Sequence, residues 1–167
     1  MIDKNIVLCG FMGCGKTTVG SELASLLKME FIDLDKWIEE KEQMTVSKIF
    51  EKKGEEYFRA AETKAAEALG KQTGRVIACG GGTVLNPKNV EFLKENGVII
   101  YLSVTADTVK QRLKGDTTRP LLSNDRENQI TCLLDMREPI YAAAADFTVD
   151  ADKDKNYTVN QILNLEY

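Results

Sequence analysis

A chain of 167 residues is long enough for one domain of ordinary size, with a core that needs no disulfide or metal staple. Its 22 basic against 26 acidic residues, a formal charge of −4, leave no basic footprint for nucleic acid or an anionic membrane and point to a small-molecule partner. The chain has no histidine, so proton transfer falls to a carboxylate, lysine, tyrosine, cysteine or water, and histidine-activated nucleophiles are excluded.

Met1-Ile2-Asp3-Lys4-Asn5 shows no charged-then-apolar leader, and no apolar run is long enough to span a bilayer, so a cytoplasmic protein is expected. Cys9, Cys14, Cys79 and Cys132 lack the paired spacing of a zinc site and read as reduced thiols. Asn5 to Cys9 is the first predicted strand. It runs into Gly10-Phe11-Met12-Gly13-Cys14-Gly15-Lys16-Thr17, a glycine-rich phosphate-binding loop, and a helix follows with Val19, Leu23, Leu26 and Leu27 on one face. In such a loop the backbone from Gly13, Cys14 and Gly15 to Thr18 wraps a polyphosphate, Lys16 reaches the outer phosphates and the Thr17 hydroxyl ligates Mg²⁺. A plain strand-to-helix turn needs neither the lysine nor the hydroxyl.

Glu30 to Leu34 is the second predicted strand, closed by Asp33-Leu34-Asp35. Residues two apart on a strand share a face, so both carboxylates would point to one spot at the strand's carboxyl end, where open α/β sheets bind ligands. One acid can hold Mg²⁺ while the other orients or deprotonates an alcohol attacking a γ-phosphate. The plainer alternative makes Asp35 the N-cap of a helix starting at Lys36-Trp37-Ile38. A long helix is predicted from about Glu55 to Leu69, carrying Arg59 with Glu62 one turn on; for an isolated arginine a surface ion pair is the better expectation. Trp37, Phe50 and Phe58 read as core or as the wall of a ring-sized cavity.

Arg75 to Cys79 is the third strand, followed by Gly80-Gly81-Gly82, whose close backbone approach and free amides suit a ligand wall. Asn86-Pro87 opens a helix that Gly97 is expected to end, Val98 to Leu102 is the fourth strand, and Thr105 and Gly115 bracket another helix. The stretch from Gly115 to Asp125, rich in turn formers and carrying Arg119, is as consistent with a mobile flap as with a surface loop, and Arg112 and Arg119 flank it. The helix with Ile130, Leu133 and Leu134 extends its apolar stripe to Arg137, Ile140 and Tyr141, so a cation takes a core-facing position and needs a carboxylate, structural or from a substrate. Phe147 to Val149 is the fifth strand. Strands alternating with helices, with no repeat, linker or low-complexity tract, predict one α/β domain over 1–167: a parallel sheet with helices on both faces. The residues alone therefore point to a phosphotransferase acting on an anionic alcohol.

Taken together in order, the loop Gly10 to Thr17, Asp33 with Asp35, Phe58-Arg59 with Glu62, Gly80-Gly81-Gly82, Arg119-Pro120-Leu121-Leu122 and Arg137 with Tyr141 resemble the shikimate kinase family over nearly the whole chain. The resemblance implies a three-layer αβα P-loop kinase with a five-stranded parallel sheet in the order 2-3-1-4-5, a lid at about 114–126 and a substrate-binding helical region at about 33–62. It also implies transfer of the ATP γ-phosphate to the 3-hydroxyl of shikimate, with Mg²⁺. In its terms Lys16, Asp35 and Arg119 are catalytic, and Thr17 and Asp33 serve the metal. Asp35, Arg59, Gly80, Gly81, Gly82 and Arg137 bind shikimate; Gly13 to Thr18, Arg112 and Arg119 bind the nucleotide. The loop Val149 to Asn156 departs from the family, being partly acidic and without the proline that often lies against the adenine. A monomer acting on a small molecule is expected. The competing readings are a gluconate or nucleoside-monophosphate kinase on the same scaffold, and a non-catalytic nucleotide-dependent binding protein.

Overall fold

A computed structural model describes residues 3–114 and 126–167. Its elements run β1 (Asn5–Cys9), α1 (Lys16–Leu27), β2 (Glu30–Asp33), α2 (Leu34–Glu42), α3 (Val46–Gly70), β3 (Arg75–Ala78), a 3-10 turn (Thr83–Leu85), α4 (Pro87–Glu95), β4 (Gly97–Ser103), α5 (Ala106–Arg112), α6 (Arg126–Ala144), β5 (Phe147–Asp150) and α7 (Lys155–Leu163). The lid expected at about 114–126 lies almost wholly outside the described residues, and Gly115 and Arg119 lie outside them.

The five strands form one parallel sheet in the order β2-β3-β1-β4-β5, as the family resemblance implies. Parallel strands need covered crossovers, and right-handed crossovers fix which face each helix takes. The step from β1 to β2 runs one way along the sheet and the step from β3 to β4 the other, so α1 and α4 lie on opposite faces. α7 packs beside α1, and α3 beside α4. The central strand β1 is buried along its whole length, with Ile6, Val7 and Leu8 at zero exposure. Its one polar side chain, Asn5, is satisfied at the far end of the sheet: Nδ2 donates to the carbonyls of Leu69 and Gln72, and Oδ1 accepts from the Arg75 amide.

Cys9 lies level with Tyr101, and Asp33 and Leu8 both lie level with Ala78. The loop after β1, the end of β2 and the glycines after β3 therefore emerge together at one carboxyl edge, where the connections diverge to the two faces.

Several expectations shift by a residue or a turn. β2 and β3 each end one residue early, so Leu34 opens α2 and Asp33 is its cap. α3 starts at Val46, and Gly54, at φ 85° and ψ 169°, breaks it ahead of the predicted helix. Gly97 does not end α4 but begins β4: a Cβ there would lie 2.5 Å from the Leu93 carbonyl oxygen. On α1, Leu26 is 55% exposed, and Gly20 and Ala24 join Val19 and Leu23 on the buried face. On α6, Ile140 leaves the stripe at 43% exposure, and Arg137 is half-buried at a cavity edge instead of core-facing.

Candidate active site

Gly15 takes φ 96° in the left-handed region, which lets the loop turn directly into α1 so that the first helical amides face the crevice. The Lys16 ammonium is folded back over the loop: Nζ donates to the carbonyls of Gly10 at 2.7 Å and Phe11 at 3.0 Å, and lies 3.6 Å from Cys14 Sγ. Across the crevice the Thr17 hydroxyl donates to Asp33 Oδ2 at 3.0 Å, while Asp33 Oδ1 accepts the Lys36 amide. The first turn of α2 is thus capped by the same carboxylate that meets Thr17. Hydroxyl and carboxylate are hard oxygen donors at the mouth of a phosphate loop, and they fit Mg²⁺, which favours a few protein oxygens completed by water and phosphate. Among the described residues no cluster of three or more His, Cys, Asp or Glu side chains is placed to hold a metal, so an ion here would draw its remaining ligands from phosphate and water.

A cleft of about 880 Å³ runs over this loop, bounded by residues 12–19, Asp33, Asp35, Arg112 and the segment after β5. Arg112 closes its far end. Its NH1 donates to the Gly13 carbonyl at 3.2 Å, and its NH2 donates to the carbonyls of Ala151 and Lys153 at 2.7 and 3.2 Å. The guanidinium therefore ties the phosphate loop to the segment that departs from the family, and Lys153 lines the cleft beside it.

A second cavity, of about 120 Å³, adjoins the first. Both are lined by Met12, Asp35, Val46, Gly80 and Gly81. Phe50 and Phe58 make its apolar wall, their ring centroids 4.9 Å apart. Arg59 and Arg137 supply its cations. Arg59 is not on a free surface: NH1 donates to Glu62 Oε2 at 2.8 Å, and the buried Glu62 accepts the Thr83 hydroxyl with its other oxygen. Trp37 lines neither cavity; it packs on the core with Lys41 over its ring.

Asp35 stands where the two cavities meet. Burial pushes its carboxyl from the usual 3.8 up to about 6, with repulsion from Glu62 and Asp33 adding and Lys16 opposing. The glycines act through the space they leave. A Cβ on Gly80 would lie 2.7 Å from Asp35 Oδ1, and one on Gly82 would lie 2.5 Å from Arg59 NH1. Gly81 has ordinary room, its carbonyl accepts the Tyr141 hydroxyl, and its amide makes no hydrogen bond among the described residues.

The structure thus brings together Gly13 to Thr18, Asp33, Asp35, Gly80 to Gly82, Arg59, Arg112 and Arg137 along two adjoining cavities. It corrects how the acids get there: Asp33 is the helix cap and Asp35 sits inside the first turn of α2, so they converge from a strand end and a helix, not as strand residues two apart. Met12, Val46 and Glu62 are working parts of the cavity walls that sequence reasoning gave no such place. Sequence reasoning found no role for Met12 within the loop, and Val46 lies before the helix that was predicted.

The sequence model of the shikimate kinase family matches residues 12–166. A protein of Caldicellulosiruptor bescii named shikimate kinase is 50% identical over 150 residues, covering 89% of this chain and 87% of its own. Another of that name from a Sulfurihydrogenibium species is 48% identical over 150 residues, covering 90% and 89%. Among solved structures, the shikimate kinase from Acinetobacter baumannii in complex with shikimate superposes with a TM-score of 0.89 at 40% identity, covering 96% of this chain and 90% of that one.

Proposed function

The chain belongs to the shikimate kinase family, and we infer on that footing that it transfers the γ-phosphate of ATP to the 3-hydroxyl of shikimate, giving shikimate 3-phosphate and ADP on the way to chorismate and the aromatic amino acids. The observation that carries this reading is the position of Asp35, which lines both the phosphate-loop cleft and the arginine-lined cavity. A hydroxyl held in the small cavity against Asp35 faces a phosphate held in the large one, so the donor and acceptor need only be placed in line.

The roles divide accordingly. The amides of Gly13 to Thr18 cradle the phosphates, and Lys16 exchanges the loop carbonyls it now meets for phosphate oxygens. Thr17 and Asp33 hold Mg²⁺ directly or through water. When bound, the ion neutralises charge on the β- and γ-phosphates. Asp35 binds the attacking hydroxyl and takes up its proton. Arg59, fixed by Glu62, and Arg137 grip the carboxylate of the acid, and the Gly81 amide adds a donor. Arg112 lies on the base side. Arg119, which the family resemblance makes a phosphate-binding residue, lies outside the described residues.

We further propose that the enzyme works as a monomer in the cytoplasm. Among the described residues no helix is long and apolar enough to cross a membrane, and the four cysteines are free.

Coupling ADP release to a spectrophotometric readout, with shikimate, quinate, gluconate and nucleoside monophosphates compared as acceptors, tests the reading. Turnover with shikimate well above the others is expected. ADP formed only with another acceptor overturns the substrate, and none with any acceptor favours a nucleotide-dependent binding protein.

A further inference from the structure

Behind the acceptor cavity lies a hydroxyl that no step above uses. Tyr141 stands one helical turn beyond Arg137 on α6, wholly buried, its ring 5.4 Å from that of Tyr101. Its hydroxyl donates to the Gly81 carbonyl at 2.5 Å, and the Arg137 guanidinium lies against the same glycine, 3.9 Å from where a Gly81 Cβ would stand, near enough to oppose the rise in the phenol's proton affinity. The two arginines of the cavity are held in different ways. Arg59 has Glu62 and Glu55. Arg137 meets no carboxylate among the described residues and otherwise rests over the Phe11 ring at 6.0 Å. A phenol can donate to a carbonyl and accept from a guanidinium at once; a carboxylate in its place could only accept, and would neutralise the cation meant for a substrate.

We propose that Tyr141 is a positioning residue for the acceptor: its hydroxyl joins Gly81 to Arg137 and so fixes the substrate-binding amide and the carboxylate-binding guanidinium in one geometry. Burial pushes its phenol well above the ordinary tyrosine range, which keeps the proton in place and the donor intact at any working pH. The link gives a partner to the one hydroxyl in a buried stripe otherwise built from Ile130, Leu134 and Ala144.

This inference rests on reading Arg137 and Gly81 as acceptor contacts. It is tested with Tyr141→Phe, which keeps the ring and its stacking, alongside Arg137→Ala and the double variant. Tyr141→Phe is expected to raise the KM for shikimate by roughly five- to tenfold, the scale of one lost hydrogen bond, with the KM for ATP unchanged. Loss of folded enzyme would lower the apparent kcat and leave KM alone, so KM reports positioning whatever the variant does to stability. Because Tyr141 acts through both Arg137 and Gly81, the double variant should be worse than Arg137→Ala by less than the full Tyr141→Phe effect. An unchanged KM in Tyr141→Phe, or effects that simply multiply in the double variant, would overturn the proposal while wild-type turnover of shikimate leaves the functional reading standing. Absence of that turnover in the wild type would end both.

Discussion

Replacing Asp35 with asparagine should make the protein more stable while removing its activity. The carboxyl is partly buried with Glu62 and Asp33 nearby, and its affinity for a proton in the fold rises from the usual 3.8 to about 6. A group whose folded pKa is raised binds its proton more tightly folded than unfolded, so it favours the fold at low pH. That advantage is lost as pH climbs from 3.8 to about 6, and above that window every folded molecule carries an ionised, poorly solvated carboxylate. A shift of about 2 units corresponds to about 3 kcal/mol of penalty at pH 8. Asparagine keeps the shape without the charge. For a domain of 150–250 residues each kcal/mol moves the melting temperature by roughly 2–4 °C, so Asp35→Asn should melt roughly 6–12 °C above wild type at pH 8. The difference should shrink steadily below pH 6 and nearly vanish at pH 4, as followed by thermal unfolding in matched buffers. Turnover of shikimate should fall by roughly 10²-fold or more, since the group that accepts the proton is gone. A melting temperature equal to or below wild type at pH 8, or a difference that does not change with pH, would refute the electrostatic account; wild-type turnover would refute the catalytic role.

Three further outcomes follow from the same contacts. Lys16→Ala removes the cation that neutralises the transferring phosphate, and its kcat in the coupled assay should drop by roughly 10²- to 10³-fold, whereas a raised KM for ATP with kcat unchanged would mean that Lys16 only binds. Arg137→Ala should raise the KM for shikimate by roughly tenfold or more, with the KM for ATP little changed; an unchanged shikimate KM would remove it from the clamp. Gly82→Ala puts a methyl 2.5 Å from Arg59 NH1 and should push the guanidinium out of its place against Glu62, raising the KM for shikimate with little loss of melting temperature, because the displaced atoms end a flexible side chain. Wild-type KM in Gly82→Ala would show that Arg59 does not need that seat.

The nucleotide half of the site was legible because its chemistry is local. A strand, a glycine-rich turn, Lys16 and Thr17 are consecutive in the chain, so composition and spacing carry the whole arrangement. The five strands were equally plain, each an apolar run within a residue or so of its observed bounds. The acceptor half is assembled across the chain, and there sequence reasoning found the residues while missing their contacts. Leu34 is apolar and reads as one more strand residue; what ends β2 before it is the Asp33 carboxylate, which caps α2 and meets Thr17 from another element. That single residue decides whether the two acids share a strand face or approach from a strand end and a helix turn. Gly80 and Gly82 are visible as glycines, but the side chains they make room for come from Asp35 and Arg59, on α2 and α3. Tyr141 looked like the last member of an apolar stripe because its ring is one, and only the Gly81 carbonyl, 60 residues away in the chain, shows that its hydroxyl has a purpose. The phosphate end can be carried by one contiguous motif, whereas the acceptor end is shaped by small residues that seat large ones from elsewhere. Specificity for the acid should accordingly be altered more readily by changing spacers such as Gly82, or linkers such as Tyr141, than by exchanging one charged side chain for another.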